Sequence, residues 1–433
     1  MKRPTLEETV LGVFLHDIGK FMQRASRGRE ELPPITRNLE GHILPVWGGV
    51  HSHWHALWTE AFFQWMEDSG LGFPGGVNRS QVRHVAVYHH RPESAASHIG
   101  AVGWLAAEAD RLASGMDRKE RDEEREREDA PRGWQGAIRT ALRNPFSGVR
   151  LRDEAGAAPV SEIPLVELSP AEEAMPQPRV NTAAYPEAYR TLFQSFQQEF
   201  RGLCEMQVVD PFCEALLSLS ERFTFAVPSS TVDQPDISLH DHGRAAAAIA
   251  GALYQWHESQ GTLDDKGAIE DRKTAKFRFL FGDLSGIQST LFRLARQQVK
   301  GVNRILRARS FLIGMIAEAA ILECREKLGL PVFSVLLNAG GHFLLLVPAL
   351  AEVEQGVEEV RRRIDPWLFR RYRGELALNL GLSPAFSGEE LMLKRFGALQ
   401  ARLRQAMEEQ KLRPFQACLL ADPVHRVRQQ ARL

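Results

Sequence analysis

The residues best suited to chemistry lie near the start of the chain, where an apolar segment carries the adjacent pair His16 and Asp17. Neighbouring residues on a helix diverge by about 100°, so both can reach one metal ion only if it lies between several helices. The pair therefore predicts further ligands elsewhere in the sequence. Apolar helical segments supply the candidates, which are His55, His89, His90 and Asp110.

Imidazoles and carboxylates together favour a divalent ion such as Mn²⁺, Ni²⁺ or Co²⁺, with Mg²⁺ as a further candidate. If Asp17 bridges two such ions, they would acidify a bound water and polarise a phosphoryl oxygen. Lys20, one helical turn beyond His16, would offset charge on the phosphate. The predicted activity is metal-dependent phosphodiester hydrolysis, with His16, Asp17 and Lys20 as catalytic residues.

A histidine–aspartate pair also occurs by chance, in which case it only packs or pairs inside the protein. The metal site is favoured here by the order of the motifs, an HDIGK segment followed by a His-His pair and then by a helix-embedded aspartate. The other histidines of this region are expected at the surface or in packing roles, and they are His42, His51, His53, His84 and His98.

The bulk composition is that of an ordinary soluble globular protein, with 44% hydrophobic and 25% charged residues among 433. The net charge of −1 means that nucleic-acid binding would need local basic patches. The N-terminus carries acids where a signal peptide is apolar, and no segment approaches the roughly 20 apolar residues of a membrane span. Four cysteines without C-x-x-C spacing argue against a zinc ribbon. A cytoplasmic protein is therefore expected.

Periodicity and composition divide the chain into five predicted segments. In the last third, the order strand, helix, strand, strand, helix, strand predicts a ferredoxin-like α/β domain, with a hairpin around Ala339–His342. That fold class hosts many activities and names none. The predicted segments are an all-α metal-binding domain (1–116), a charged and Pro/Ala-rich linker (117–187), a helical connector (188–270), the ferredoxin-like domain (271–385) and a C-terminal helical segment (386–433).

The sequence GDLSGIQ in the ferredoxin-like domain predicts a strand end before a helix, where backbone NH groups can face phosphate. Its candidate nucleotide- or RNA-binding residues are Gly282, Asp283, Ser285 and Gly286. The segment that follows holds six basic residues and no acid, so the phosphates of ATP or RNA are candidate partners. The alternative is a solvated amphipathic helix. The basic residues are Arg293, Arg296, Lys300, Arg304, Arg307 and Arg309.

These motifs together resemble a known family. LHDIGKF, HALWTEAFF, VYHHRP and EADRLASGMDR are similar to the HD domain of the large subunit of type III CRISPR interference complexes, in its Csm-type branch. VPSSTVDQPDISLHDH, FLFGDLSGIQ, LRARSFLIGMIAEA and LLNAGGHFLLLVP resemble the connector and first palm domain of the same subunit. The similarity runs from about residue 6 to about residue 350 and corresponds to the N-terminal half of that subunit.

The resemblance implies that the HD domain cuts single-stranded DNA with divalent metal ions, within a guide-RNA complex that recognises target RNA. His16, Asp17, His89, His90 and Asp110 match the family motif position by position, and His55 matches it less closely.

In that family two palm domains make cyclic oligoadenylates from ATP, and the second palm carries a GGDD motif. No GGDD occurs in this chain, where the corresponding hairpin reads Gly340-Gly341-His342-Phe343. The cysteine-rich insertion that usually follows the first palm is also missing. Because two carboxylates are needed to hold the catalytic metals, this chain alone is expected not to make oligoadenylates.

Two alternative functions stay open from the sequence. One is a freestanding HD phosphohydrolase that acts on small nucleotides, with the ferredoxin-like domain as a sensor. The other is a non-catalytic scaffold that docks guide RNA and neighbouring subunits. A substrate panel and a metal-site double variant would separate them from the nuclease.

Overall fold

A computed structural model gives the architecture of the chain and describes residues 2–117, 133–149, 160–231, 234–292 and 301–421. Some predicted features lie outside these ranges, namely the charged run over 118–132, the basic residues Arg293, Arg296 and Lys300, and the end of the C-terminal segment over 422–433.

The described part of the chain is mostly helical, with small antiparallel sheets. It divides into two compact units: unit 1 is Met1–Ala250 with His257–Glu270, and unit 2 is Gly251–Trp256 with Asp271–Leu433. The predicted boundaries between five segments stay predictions. Among the helices described, none is both long and apolar enough to cross a membrane.

Unit 1 is built mainly from helices, joined by two pairs of very short strands. The strand pairs are β1 (Val46–Trp47) with β2 (Val50–His51) and β3 (Leu142–Arg143) with β4 (Glu162–Ile163). The helices are α1 (Leu6–Phe14), α2 (Ile18–Ala25), α3 (Pro34–Arg37), α4 (Glu40–Ile43), α5 (His55–Asp68), α6 (Arg79–Val87), α7 (Val102–Asp117), α8 (Gly133–Ile138), α9 (Tyr185–Leu203), α10 (Val209–Thr224), α11 (Leu239–Ser259) and α12 (Lys266–Glu270).

The start of α1 is fixed by a capping box. The Thr5 hydroxyl accepts a hydrogen bond from the backbone NH of Glu8, and the Glu8 carboxylate accepts one from the backbone NH of Thr5. Two NH groups that no helical carbonyl can reach are thereby satisfied. The second Glu8 oxygen accepts a hydrogen bond from the Asn78 NH at 2.9 Å, so the same side chain also ties α1 to the start of α6.

An aromatic cluster joins α2, α5 and α9 in the core of unit 1. Phe21 on α2 meets Phe193 of α9 edge-on at 5.1 Å between ring centroids, and Phe62 on α5 meets Phe200 of α9 at 5.5 Å. Phe196 lies between them and is buried. Burying each such ring contributes roughly 1.5–3 kcal/mol. The predicted connector therefore shares one core with α2, which follows the His16 turn, and with α5, which begins at His55.

The described part of the predicted linker has local structure. Leu142 and Ile163 pair across β3 and β4, and both side chains are buried. The backbone NH of Arg143 donates to the carbonyl of Pro235 at 2.7 Å, which ties β3 to the strip that precedes α11, described over residues 226–231 and 234–238. Weak helical periodicity in this region thus reflects short strands and turns.

Unit 2 is an antiparallel sheet covered by helices. The strands are β5 (Phe277–Ser285), β6 (Val335–Ala339), β7 (His342–Pro348) and β8 (Ala377–Leu382), and the helices are α13 (Ile287–Phe292), α14 (Val302–Leu328), α15 (Ala351–Tyr372), α16 (Gly388–Leu391), α17 (Leu393–Lys411) and α18 (Gln416–Ala421).

The strand order is β6-β7-β5-β8, and every neighbouring pair is antiparallel. With α14 between β5 and β6 and α15 between β7 and β8, this is the connectivity of the predicted ferredoxin-like domain. Gly340 and Gly341 form the predicted hairpin turn, both with positive φ, as a two-residue turn requires.

One face of this sheet forms a continuous apolar core with α14 and α15. Leu280 of β5 and Phe343 of β7 are fully buried against Ile316 of α14 and Val357 of α15. On the other face α17 packs against β8 and β5, where the Gln410 side chain lies close to Gly381. The sheet therefore has helices on both faces.

Candidate metal centre

The turn between α1 and α2 carries His16 and Asp17. The prediction that the pair lies inside a helix is wrong, because α1 ends at Phe14 and α2 begins at Ile18. The orientation of the His16 ring is fixed by a hydrogen bond, in which its Nδ1 donates to the carbonyl of Val13 at 2.5 Å. Adjacent side chains on a helix would point in different directions, but in this turn the side chains of His16 and Asp17 both reach one site.

Three other elements of unit 1 bring the remaining predicted ligands to this turn. His55 is the first residue of α5, and Asp110 lies within α7, so their predicted helical settings are confirmed. The helical setting of His89 and His90 is wrong, because α6 ends at Val87 and both follow it in a turn. Nδ1 of His89 donates to the carbonyl of Ala86 at 2.6 Å, which fixes that ring as well.

The six predicted residues lie together, with Asp17 at the middle. One Asp17 oxygen is 3.2 Å from Nε2 of His55, and the other is 3.4 Å from Nε2 of His16. Nε2 of His16 is also 3.5 Å from a carboxylate oxygen of Asp110. The Nε2 atoms of His55 and His90 are 3.0 Å apart. The ring centroids of His16 and His89 are 4.7 Å apart, which completes the group.

The cluster has a seventh member that the sequence did not predict, His242 in the first turn of α11. Its Nε2 is 3.2 Å from the Asp110 carboxylate and 3.6 Å from that of Asp17. The available signal was a histidine next to an aspartate in SLHDHGR, but the segment lies 132 residues beyond Asp110 in the chain. Only the folded chain shows that α11 begins beside α1.

Three groups of side chains in the described structure have donor atoms close enough to hold one cation, all within 4.8 Å of one another. They are His55 with His89 and His90, His16 with Asp110 and His242, and His16 with Asp17 and His89. The groups overlap at His16 and His89. The first two groups share no residue and so define two candidate cation positions, and the Asp17 carboxylate lies beside His55 of one group and His242 of the other.

Burial and charge set the protonation of the cluster. Burial lowers the pKa of His55, His89 and His90, to about 4 for His89. These three imidazoles are therefore neutral and have lone pairs to share at neutral pH.

His16 behaves differently because it lies between two carboxylates. Burial alone would lower its pKa, but Asp17 and Asp110 raise it to about 10. Burial would raise the pKa of Asp17, but Lys20 and His16 hold it well below its usual range. His16 and His242 do the same for the pKa of Asp110. Protonated His16 and Lys20 thus balance the two carboxylates.

The donor atoms fit a divalent cation with nitrogen and oxygen ligands. Three of them, Nε2 of His16, Nε2 of His89 and Oδ1 of Asp17, are buried without a hydrogen-bond partner. Oδ1 of Asp17 lies near Nε2 of His55 but not in hydrogen-bond geometry. A buried polar atom without a partner costs roughly 1–3 kcal/mol. A cation that displaces the proton on Nε2 of His16 and accepts these lone pairs would offset that cost.

Gly19 of the HDIGK segment lets α2 approach α5. A Cβ at this position would lie 2.0 Å from the carbonyl oxygen of His55 and 2.3 Å from the backbone nitrogen of Thr59. In the space that the missing side chain leaves, the Thr59 hydroxyl accepts from the Gly19 NH and donates to the carbonyl of His16. The glycine therefore sets the distance between the His16 turn and His55.

Lys20 contacts Asp17 directly. Its ammonium donates to Oδ2 of Asp17 at 2.6 Å and to the carbonyl of Ser229 at 3.0 Å. The Lys20 side chain keeps 17% of its surface exposed, whereas that of Asp17 keeps 4%. Lys20 thus lies at the rim of the cluster, between the carboxylate and solvent.

The histidines expected outside the site lie around its edge or away from it. His42 is exposed, and His51, His84 and His98 are partly buried. His53 borders the cluster, because its ring centroid is 4.0 Å from that of His90. Its φ of 56° is unusual for a residue with a side chain.

The predicted phosphate-facing residues of unit 2 lie on β5 and its end. Gly282 is inside the strand, not at its end as predicted, and it pairs with Phe343 and Leu380. A Cβ there would meet the Phe343 ring at 2.1 Å, so packing accounts for this glycine. Gly286 has φ of 92° and leaves no room for a Cβ beside the Glu375 carbonyl.

Asp283 and Ser285 belong to a polar group at this end of the sheet. Asp283 is 3.2 Å from Nδ1 of His342 and 3.5 Å from the ammonium of Lys411, and Asn379 donates to Ser285 at 2.6 Å. Arg304 and Arg307 are exposed, whereas Arg309 is partly buried and donates to the carbonyl of Thr290.

The sequence comparisons point to one family. Residues 276–426 match the family model described as Csm1 subunit domain B. The chain is 27% identical to the CRISPR system single-strand-specific deoxyribonuclease Cas10/Csm1 (subtype III-A) of Thermococcus onnurineus, over 94% of this chain and 47% of that protein. Against the protein of the same name from Mycobacterium tuberculosis it is 26% identical, over 93% of this chain and 48% of the other.

Solved structures show the same fold. A crystal structure of a Csm1–Csm4 cassette in complex with pppApA matches with a TM-score of 0.67 at 24% identity, over 95% of this chain and 50% of the other. The Csm1–Csm4 subcomplex of the type III-A CRISPR-Csm interference complex matches with a TM-score of 0.66 at 24% identity, over 95% and 49%. The chain is therefore similar to the Cas10/Csm1 proteins of subtype III-A CRISPR systems, and it spans about half the length of the curated relatives it matches.

Proposed function

We propose that unit 1 is an HD-type metal-dependent nuclease that hydrolyses single-stranded DNA, and that the chain works within a type III-A CRISPR RNA-guided complex. One observation carries the proposal. Buried imidazoles and two carboxylates from separate elements converge on one centre, and three of their donor atoms have no hydrogen-bond partner. The names of the relatives support the substrate, since they are described as single-strand-specific deoxyribonucleases.

The residues of the centre have three roles: binding the cations, orienting the ligands and binding the phosphate. Divalent cations held by His16, Asp17, His55, His89, His90 and Asp110 would supply Lewis acidity and lower the pKa of water. Asp17 and Asp110 give the buried site its negative charge, and Val13 and Ala86 keep the rings of His16 and His89 oriented through their carbonyls. Lys20, at the rim, binds the phosphate of the incoming strand and keeps Asp17 ionised.

A cleavage assay tests the proposal. Labelled single-stranded DNA is incubated with the purified chain and Mn²⁺, Ni²⁺, Co²⁺, Mg²⁺ or EDTA, beside the double variant His16→Ala, Asp17→Ala. His84→Ala, a histidine on α6 outside the centre, serves as control. We expect metal-dependent cutting that the double variant loses and the control keeps. Undiminished metal-dependent cutting by the double variant would contradict the assignment.

The alternatives give different results in the same experiment. A freestanding phosphohydrolase would release products from small nucleotides faster than from DNA. A scaffold would bind its partners without cutting, both alone and in the assembled complex bound to target RNA, so an inactive chain is assayed again in that complex. Structures similar to this chain are Csm1–Csm4 assemblies, which supports a docked state.

A second function, nucleotide binding by unit 2, rests on the polar group at the end of its sheet. The Asp283 carboxylate lies 3.2 Å from Nδ1 of His342 and 3.5 Å from the ammonium of Lys411, and the three side chains are partly exposed. Similar structures are described with ATP or pppApA. We expect ATP to bind and no oligoadenylate to form, because the hairpin has His342 and Phe343 where two acids are needed. Calorimetry with ATP on wild type and Lys411→Ala tests this.

A further inference from the structure

The first turn of α11 reaches the metal centre from a part of the chain that contains none of the predicted ligands. Nε2 of His242 lies 3.2 Å from Asp110 and 3.6 Å from Asp17, and its ring centroid is 5.4 Å from that of His16. Only 3% of the His242 surface is exposed. The donor atoms of His16, Asp110 and His242 all lie within 4.8 Å of one another, as one cation requires.

Two side chains of α2 hold the strip before α11 by donating hydrogen bonds to its backbone carbonyls. Arg24 donates to the carbonyl of Pro228 at 2.7 Å, and Lys20 donates to that of Ser229 at 3.0 Å. Within the strip, the Leu239 NH donates to the Val227 carbonyl at 2.7 Å. The same α2 that follows the His16 turn therefore holds the segment that leads to His242.

The beginning of α11 itself has a fixed position. The Ser238 hydroxyl accepts from the Asp241 NH at 2.9 Å, as an N-cap does, and donates to the Asp241 carboxylate at 2.7 Å. A Cβ on Gly243 would lie 3.1 Å from the carbonyl oxygen of Phe14, so α11 starts in close contact with the end of α1. His242 is thus positioned as firmly as the ligands that sequence predicts.

We propose that His242 is a direct metal ligand, which together with His16 and Asp110 holds one of two cations, so that the centre is complete only when the strip before α11 is folded on α2. The inference rests on the proposed function of unit 1 and adds to it. It assigns to the predicted connector a residue of the metal centre, and it couples cation binding to the folding of residues 226–231 and 234–242.

A simpler role is a hydrogen bond from His242 to Asp110 that only positions the carboxylate. The two roles differ in what they require of residue 242. A positioning role needs an NH donor, which glutamine also offers. A ligand role needs a donor lone pair in contact with the cation, which cysteine supplies and glutamine supplies poorly to a transition metal.

Co²⁺ titrations of the full chain separate these roles. In His242→Cys we expect a near-ultraviolet thiolate-to-Co²⁺ charge-transfer band, which forms only if residue 242 contacts the ion. His240→Cys is the matched control, because His240 lies in the same turn of α11, is buried against Phe14 and belongs to none of the candidate groups. The control and the wild type, which both contain the native cysteines, should show no such band.

Affinity gives a second measurement. Loss of a residue that merely supports a ligand weakens metal binding by about 10–100-fold, so loss of a direct ligand should cost at least about tenfold. We expect His242→Gln to bind Co²⁺ at least about tenfold more weakly than wild type, with one ion bound where wild type binds two. Equal affinity in His242→Gln, with no band in His242→Cys, would overturn the inference.

A wild-type measurement covers the case in which the variants fold poorly. Hydrogen exchange of peptides over residues 234–250 should slow when Mn²⁺ is added, since a ligand in the first turn of α11 ties that turn to the centre. Unchanged exchange there, while peptides around His16 slow, would also overturn the inference but leave the proposed function intact. A wild-type chain that binds neither Co²⁺ nor Mn²⁺ would overturn both.

Discussion

At the scale of single residues, the centre of unit 1 is governed by how charge is balanced in a buried space. Two carboxylates lie within 3.5 Å of His16 Nε2, and burial would make such an arrangement costly without nearby cations. Lys20 and protonated His16 supply the positive charge. A metal ion that binds Asp17 and Asp110 must therefore compete with Lys20 and protonated His16, the same groups that keep these carboxylates ionised.

Lys20 allows a test of that competition. In Lys20→Met we expect Mn²⁺ to bind at least as tightly as in wild type, because a cation 2.6 Å from Asp17 has been removed while Arg24 still holds the strip before α11 on α2 through the Pro228 carbonyl. Cleavage should slow by about tenfold or more, since a hydrogen bond from a charged group to the phosphate contributes roughly 1.5–3 kcal/mol. Calorimetry and the cleavage assay measure the two effects. Lys273→Met, at an exposed position, is the control, and weaker Mn²⁺ binding in Lys20→Met would refute the argument.

A buried acid in unit 2 predicts a dependence of stability on pH. Burial raises the pKa of Asp365 to about 6, although the Ala417 NH and Arg361 oppose the shift. The folded state therefore holds this proton more tightly than the unfolded state, whose pKa is near 3.8. The free energy of unfolding should fall as pH rises from about 4 to about 6, and it should stay lower above pH 6.

Asp365→Asn removes this titration and keeps an oxygen that can accept from Ala417. We expect the variant to be more stable than wild type at pH 7.5, by on the order of 1–3 kcal/mol, with the difference shrinking towards pH 4. Urea unfolding followed across that pH range checks it. A constant difference between the two proteins at every pH would show that Asp365 does not titrate as argued.

At the scale of elements, two helices that pack unusually closely set the geometry of the centre. The absence of a side chain at Gly19 lets α2 lie against the backbone of α5, and Thr59 links the two through its hydroxyl. Because His16 precedes α2 and His55 begins α5, the spacing of the helices is also the spacing of two candidate ligands.

Gly19→Ala tests this spacing. The new Cβ would meet backbone atoms of His55 and Thr59, which cannot rotate away, so we expect a loss of at least about 1–3 kcal/mol in the free energy of unfolding and weaker Mn²⁺ binding. Gly314→Ala in α14 is the matched control. A Cβ there meets no atom within 4 Å, and alanine should stabilise the helix by up to about 1 kcal/mol. Thermal unfolding and calorimetry compare them; equal effects would count against the argument.

At the scale of the whole molecule, the predicted connector helps to form the metal-binding unit. Phe196 of α9 is 1% exposed and packs between Phe21 of α2 and Phe62 of α5. Residues far apart in sequence therefore share one core. A chain whose α9 is destabilised should lose the metal centre with it.

Phe196→Ala tests this dependence. We expect the free energy of unfolding of unit 1 to fall by about 3–5 kcal/mol and Mn²⁺ affinity to fall with it. Phe311→Ala on α14, where the side chain is 70% exposed, should change either quantity little. Thermal unfolding with and without Mn²⁺ gives both readings. Unaltered metal affinity in an otherwise destabilised Phe196→Ala protein would show that the connector folds independently.

The sequence by itself determined the resemblance to the Csm-type CRISPR subunit, the ferredoxin-like order of unit 2 and the hairpin at Gly340 and Gly341. These depend on local information, because hydrophobic periodicity, glycines in turns and short motifs are visible within a few residues. It also named six residues that the structure brings together, although their role as ligands stays a prediction.

Tertiary structure alone decided the rest. His16 lies in a turn because α1 ends at Phe14. The apolar pattern of the sequence continues across this helix end and so does not reveal it. His242 joins the cluster because Arg24 and Lys20 hold the preceding strip on α2 through backbone carbonyls, which any sequence would present. A hydrogen bond to a backbone carbonyl, or a close approach of two helices, leaves no recognisable side-chain pattern in segments that are more than a hundred residues apart. Such contacts are therefore seen only in the folded chain.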